Sequence, residues 1–206
     1  MSFYQFFIDK FTRAGKQLNC IMLFMFLISV YFSVVLVLQL THWFFLTSLF
    51  LAGWFIWTFF EYILHRFWMH NAGHSRSVMS DRHHHHHTHP TDIKVTAIQR
   101  VGLFLITIAF GLLSVYMHSC FMVLSGVVFG FAGYTMMHWT LHQRWSAKLF
   151  PRLQRFHIYH HCKFPDTCYG ISVCWWDLLF KTTPPGETDL LKRVIDFYFE
   201  GNQKKK

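Results

Sequence analysis

The chain has 206 residues, a length for one domain spanning 1–206, and is 53% hydrophobic and 20% aromatic with 14% charged residues. Composition this apolar excludes an ordinary soluble domain and suits a membrane protein. Nineteen Lys and Arg against ten Asp and Glu leave a net charge of +9, but no RNA- or DNA-binding signature accompanies it and the aromatics lie mostly in apolar runs, so nucleic acid is not expected as a partner.

In chain order, the basic and aromatic N-terminus (1–20) precedes an uncharged stretch, 21–40, with no small-residue cleavage site after it. This reads as a retained membrane span rather than a signal peptide. About twenty apolar residues cross roughly 30 Å of hydrocarbon. Thr41 and His42 make a short turn into a second apolar run, giving a span over about 43–64. The next uncharged region folds as a hairpin about His118 and Ser119, with spans over 101–117 and 120–140. Helices are expected because lipid offers backbone groups no water. The expected fold is all-α: an integral membrane protein with four transmembrane helices in two hairpins and a cytoplasmic helical cap.

Charge fixes the expected sidedness. Every Lys and Arg falls within 10–16, 66–100 or 144–206, so the three regions share one face. The positive-inside rule puts that face, and both termini, in the cytoplasm. Fourteen of the sixteen histidines sit there too; only His42 and His118 lie on the other side. The five cysteines, at 20, 120, 162, 168 and 174, include no CxxC pair, so neither a thiolate zinc site nor a disulfide framework is indicated.

Histidine spacing carries the chemistry. His65 and His70 form an HxxxxH, His83, His86 and His87 an HxxHH, His138 and His142 an HxxxH, and His157, His160 and His161 a second HxxHH. On an α-helix, positions i, i+3 and i+4 share a face, so the HxxHH and HxxxH clusters are expected to aim their imidazoles at one point. Five residues turn a helix by about 140°, so His65 should end its span and His70 point back from a turn beyond it. Ten imidazoles are too many for one ion and suit two. They occupy the regions 65–100 and 138–184. No carboxylate lies within the clusters, Glu61 and Glu187 being the nearest glutamates, which disfavours the carboxylate site of ferritin-like bundles. His42, His74 and His118 read as structural. The run 83–87 is internal and five long, unlike a purification tag.

These residues resemble the fatty acid hydroxylase/sterol desaturase superfamily of membrane di-iron oxygenases, closest to its fatty acid 2-hydroxylase branch. His83, His86, His87, Pro90 and Asp92 match that branch's HxxHHxxPxD pattern in register, leaving His84, His85 and His89 as bystanders. The segment 61–70 looks like the first box, His138 and His142 like the third, His157, His160 and His161 like the last, and 169–184 like the tail that follows. Thr135 stands where several relatives carry an acidic residue.

The resemblance implies two Fe ions on the ten clustered histidines, with Zn able to replace them in recombinant protein, and O2 as co-substrate. It implies hydroxylation of a lipid C–H bond with two electrons, at carbon 2 of a fatty acyl or sphingolipid acyl chain. Glu61 and Asp177 could orient ligand imidazoles through the other ring nitrogen. No His-Pro-Gly-Gly haem motif is present, so a separate electron donor is expected: cytochrome b5-like, ferredoxin-like or a reductase. The membrane would be a bacterial inner membrane or the endoplasmic reticulum. Two alternatives stand. One is a sterol or carotenoid hydroxylase or desaturase of the same superfamily. The other is a histidine-rich metal transporter, which should line its spans with polar ligands; these spans carry almost none beyond Ser, Thr and an occasional Gln.

Overall fold

A computed structural model describes residues 24–25, 27–35, 43–70, 77–117, 121–186 and 190–201. Among them there is no strand. The helices are α1 (Trp43–Ile63), which runs on as a π-helix (Leu64–His70), α2 (Val78–Thr88), α3 (Ala97–Met117), α4 (Phe121–Leu141), a 3-10 turn (Arg144–Lys148), α5 (Pro151–Cys162), α6 (Trp175–Leu179) and α7 (Lys192–Glu200).

Three helices among the described residues are long and apolar enough to cross a membrane: Trp43–His70, Ala97–Met117 and Phe121–Leu141. They correspond to the second, third and fourth expected spans. Of the first, residues 24–25 and 27–35 are helical and the rest lies outside the described residues. So do the turns at 41–42 and 118–119. Helices of 21 residues such as α3 and α4 are about 31 Å long at 1.5 Å per residue.

Small residues set the helix packing. A Cβ on Gly53 of α1 would run into the Val123 carbonyl of α4, and one on Gly126 of α4 into the Phe50 carbonyl of α1. Their backbones therefore nearly touch, and with Gly126 against Phe50 and Gly130 against Trp57 the two helices run parallel. Gly130 completes a small-xxx-small pair beneath the Trp57 ring, the arrangement that substitutes for hydrophobic driving force in lipid. α3 folds back on α4, and Ser125 donates to the Thr107 carbonyl at 2.9 Å. Phe44, Leu51, Phe55, Leu105 and Leu112 remain exposed on the outer faces, where lipid would meet them. An apolar cluster of Tyr31, Val35, Leu46, Phe50, Val115 and Met122 closes the end far from the histidines.

This topology gathers the last turns of α1 and α4 and the first turn of α3 at one end. The short helices cap that end. Ser77 caps α2 by accepting from the Ser80 N–H at 3.1 Å, and Pro151 starts α5, where its missing N–H costs nothing.

Candidate metal centre

The ends of α1 and α4 and the cap helices α2 and α5 deliver the histidines. Among the described residues their ligand atoms form two groups, each spanning no more than 4.8 Å: His65, His70, His83, His87 and His160, and His86, His138, His142, His157 and His161. All ten expected histidines are present. His84, His85 and His89 lie outside both groups; His85 stacks on His89 with ring centroids 4.3 Å apart.

The sharing differs from the one-point convergence expected of each box. On α2, His83 and His87 join the first group while His86 joins the second. On α5 the roles invert: His157 and His161 join the second group and His160 the first. The i, i+4 pair of each helix thus serves one group and its i+3 residue the other. The pairs at 65/70 and 138/142 complete the two fives. The physical reason is angular: three and four residues turn a helix by roughly 300° and 400°, leaving the i+3 and i+4 rings splayed enough to straddle two points.

His65 and His70 also depart from the expectation. No turn brings His70 back; the helix continues to it as a π-helix. A π-helix bonds i to i+5, so residues five apart stand one above the other. The two rings lie 5.2 Å apart. π-Helical turns occur mostly at functional sites.

The nitrogen geometry bears on whether these residues fit a metal. Nε2 of His83 lies 3.1 Å from Nε2 of His65, 2.7 Å from that of His70 and 2.9 Å from that of His87. In the second group, Nε2 of His86 is 3.0 Å from that of His138 and 3.1 Å from that of His142, which is 3.1 Å from that of His157. One ring nitrogen carries at most one hydrogen, so a single Nε2 cannot satisfy three others by hydrogen bonding. Two imidazole nitrogens at about 2.1 Å from one cation and at right angles are about 3 Å apart, which is the spacing found. His161, buried and with no hydrogen-bond partner for either ring nitrogen among the described residues, is likewise suited to a ligand and costly otherwise.

The protonation state agrees. Nδ1 of His65 faces the Tyr169 carbonyl, Nδ1 of His160 the Thr167 carbonyl at 2.7 Å and Nδ1 of His86 the Asp92 carbonyl at 3.3 Å. A carbonyl only accepts, so each Nδ1 carries the proton and each Nε2 is left with its lone pair toward its group. Burial, reinforced by neighbouring imidazoles, holds His83, His142, His157, His160 and His161 well below the usual histidine range. Burial brings His87 to about 2 and His86 to about 4. All are neutral at pH 7, the form that binds metal.

Among the described residues, Glu61 and Asp177 hydrogen-bond to no imidazole and bond to backbone and hydroxyl donors instead. Glu61 accepts from the backbone N–H groups of Ile171 and Ser172, both at 2.8 Å, and from the Ser172 hydroxyl. Asp177 accepts from the N–H groups of Tyr169 and Gly170, both at 2.8 Å, and from the Thr182 hydroxyl at 2.7 Å. Both carboxylates are buried. Together they pin the segment 169–172, whose Tyr169 carbonyl orients His65, so they act one bond further out. The backbone N–H groups there need acceptors, and His65, His86 and His160 already have carbonyls. Asp92 contributes through its carbonyl, while its carboxylate pairs with Lys94.

Tyr198 of α7 is the participant that spacing did not reveal. Its buried ring stacks on His142, centroids 4.6 Å apart and planes within 16°. A lone tyrosine in a short amphipathic segment gives no signal in sequence. Two cavities reach the histidines. One, about 380 Å3, is lined by Ser80, Asp81, His84 and Thr88 together with His70, His83, His87 and His161. The other, about 180 Å3, has Met69, Met79, Ile93, Val95, Tyr134 and Thr135, with the charged Arg82, Asp92 and Lys94, around His83, His86 and His138.

Residues 50–182 match the family described as fatty acid hydroxylase. A dihydroceramide fatty acyl 2-hydroxylase of Arabidopsis thaliana is 28% identical over 141 residues, 64% of this chain and 59% of that one. The ceramide very long chain fatty acid hydroxylase of Saccharomyces cerevisiae is 30% identical over 148 residues, covering 65% and 37%. The fatty acid 2-hydroxylase of Rattus norvegicus is 30% identical over 155 residues, covering 69% and 41%. The match thus spans less than two thirds of each of these relatives. The structure of full-length scs7p, in which only the hydroxylase domain is visible, shares the fold, with a TM-score of 0.53 at 22% identity over 85% of this chain and 69% of that one. With a family match across some two thirds of its length, and with all ten clustered histidines inside the matched stretch, the chain belongs to the fatty acid hydroxylase family.

Proposed function

We propose that the chain is a membrane lipid hydroxylase that uses two iron ions, O2 and two electrons, and that its reaction is 2-hydroxylation of a fatty acyl or sphingolipid acyl chain. The observation that carries this reading is the gathering of ten histidines into two facing groups of five at one end of the apolar helices, in a chain of this family. Each group would hold one ion. Iron bound there would supply the oxidising power that an unactivated C–H bond demands and that no side chain possesses.

The chain's own residues supply the setting. Tyr169, Thr167 and Asp92 hold Nδ1 protons through their carbonyls and thereby aim three Nε2 atoms. Glu61 and Asp177 keep the Tyr169 carbonyl in place. The smaller cavity, mostly apolar, offers an acyl chain an approach that touches His83 of one group and His86 and His138 of the other. A carbon near the polar end of a lipid would arrive first, because the histidines stand at the ends of the spans and not along them. The first apolar stretch completes a fourth span, both termini and the histidines face the cytoplasm, and a separate protein donates the electrons.

The test is the lipid profile of cells making the protein or its His160→Ala variant. 2-Hydroxylated acyl chains should accumulate only with the intact protein. Unchanged acyl chains with altered sterols or carotenoids would replace the proposed substrate with the other class.

A further inference from the structure

The two histidine groups are oriented by different means. In the first, His65 and His160 are each fixed by a backbone carbonyl on Nδ1. In the second, His86 alone has such a carbonyl, that of Asp92, and the Nδ1 atoms of His142, His157 and His161 are buried with no hydrogen-bond partner among the described residues. Ring packing must orient them. Tyr198 provides it: its ring stacks on His142 and stands edge-on to His161 at 5.4 Å and to His157 at 6.1 Å. The Tyr198 hydroxyl donates to the Leu141 carbonyl at 3.1 Å, tying the ring to the residue beside His142.

α7 is itself held by the same stretch of chain. Arg144, two residues past His142, pairs with Glu200 and lies 3.7 Å from Asp196. Its guanidinium also covers the Phe199 ring at 4.8 Å. The helix lies wholly beyond residues 50–182, the stretch that matches the family.

We propose that α7 is a clamp on the second histidine group, and that Tyr198 is a positioning residue for His142, so that metal in that group depends on α7 while metal in the first does not. This rests on the reading that each group holds one ion. The ring, rather than the hydroxyl, is the working part: stacking sets the plane of His142, and the hydroxyl bond only steadies the ring. Partners that orient ligand imidazoles change metal affinity by about 10- to 100-fold.

The experiment loads full-length protein in detergent with zinc alone and follows its release to a chromophoric chelator. Wild type is compared with Tyr198→Leu and Tyr198→Phe. In Tyr198→Leu, half of the zinc should leave about 10- to 100-fold faster and the other half at the wild-type rate. Tyr198→Phe should release both halves as wild type does. Identical release from all three proteins overturns the proposal, as does acceleration of the whole of the zinc in Tyr198→Leu, which would mark a general collapse of the cap. Fast release from Tyr198→Phe as well would overturn the role of the ring. Wild type that takes up one zinc or fewer would overturn the two-ion reading itself, and the clamp with it.

Discussion

Nε2 of His83 has three Nε2 atoms of other histidines within 3.1 Å, and nothing in ordinary side-chain hydrogen bonding sustains that. The same crowding makes the metal-free protein acid-sensitive. In the unfolded chain an imidazole takes up a proton below about pH 6.5; His86, held down to about 4 by burial, stays neutral until then. The unfolded state therefore binds more protons across that window, and stability falls as pH drops through it, by about 1.4 kcal/mol per pH unit for this one group. Denaturant unfolding of metal-free protein should show a lower midpoint at pH 5.5 than at 7.5; an equal midpoint contradicts the burial. Asp177→Asn replaces an oxygen that accepts a backbone N–H with a group that cannot. It should cost about 1–3 kcal/mol and, through the Tyr169 carbonyl, weaken metal binding about 10-fold or more, as chelator competition would read. Which histidines gather was legible in the sequence, from helical spacing together with the family pattern that sets the register of the run 83–87. Which of them share a point was not. The division of each HxxHH box depends on where the facing helix stands, and the carbonyl partners of His65 and His160 come from residues whose side chains carry no signal.

Among the elements, the pair α1 and α4 is the frame on which the site is hung. Gly53 and Gly126 admit the partner's backbone where any side chain would collide. Gly126→Val should force α4 away from Phe50, costing about 1–3 kcal/mol and displacing His138 and His142 relative to His65. A lower thermal midpoint together with reduced metal content checks this; unchanged values for both would show that the helices do not depend on the close approach. The apolar runs made α1, α3 and α4 legible, since hydrocarbon permits little but helix. The π-helix at Leu64–His70 was not legible, because an α-helical count sends His70 to the wrong side and only the packed cap shows that the wider turn is used. α7 was missed for a different reason: its function is a ring stacked on a distant histidine, and such a contact has no periodicity.

For the molecule as a whole, the ten clustered histidines and the basic residues among the described residues share one end of the helices, while Tyr116, 85% exposed, marks the other. The sidedness proposed above has a direct check. In a background without native cysteines, Lys148→Cys should react with a membrane-impermeant maleimide only when the cytoplasmic face is open, and Tyr116→Cys from the opposite face. The reverse pattern would invert the topology and place the histidines outside. The central claim is that ten histidines form a two-ion centre, and the iron content of purified protein tests it most directly. Protein made with ample iron should hold about two ions per chain, and about one when His142 and His157 are both replaced by alanine. Fewer than one ion in the wild-type protein, or two retained without those histidines, would contradict it.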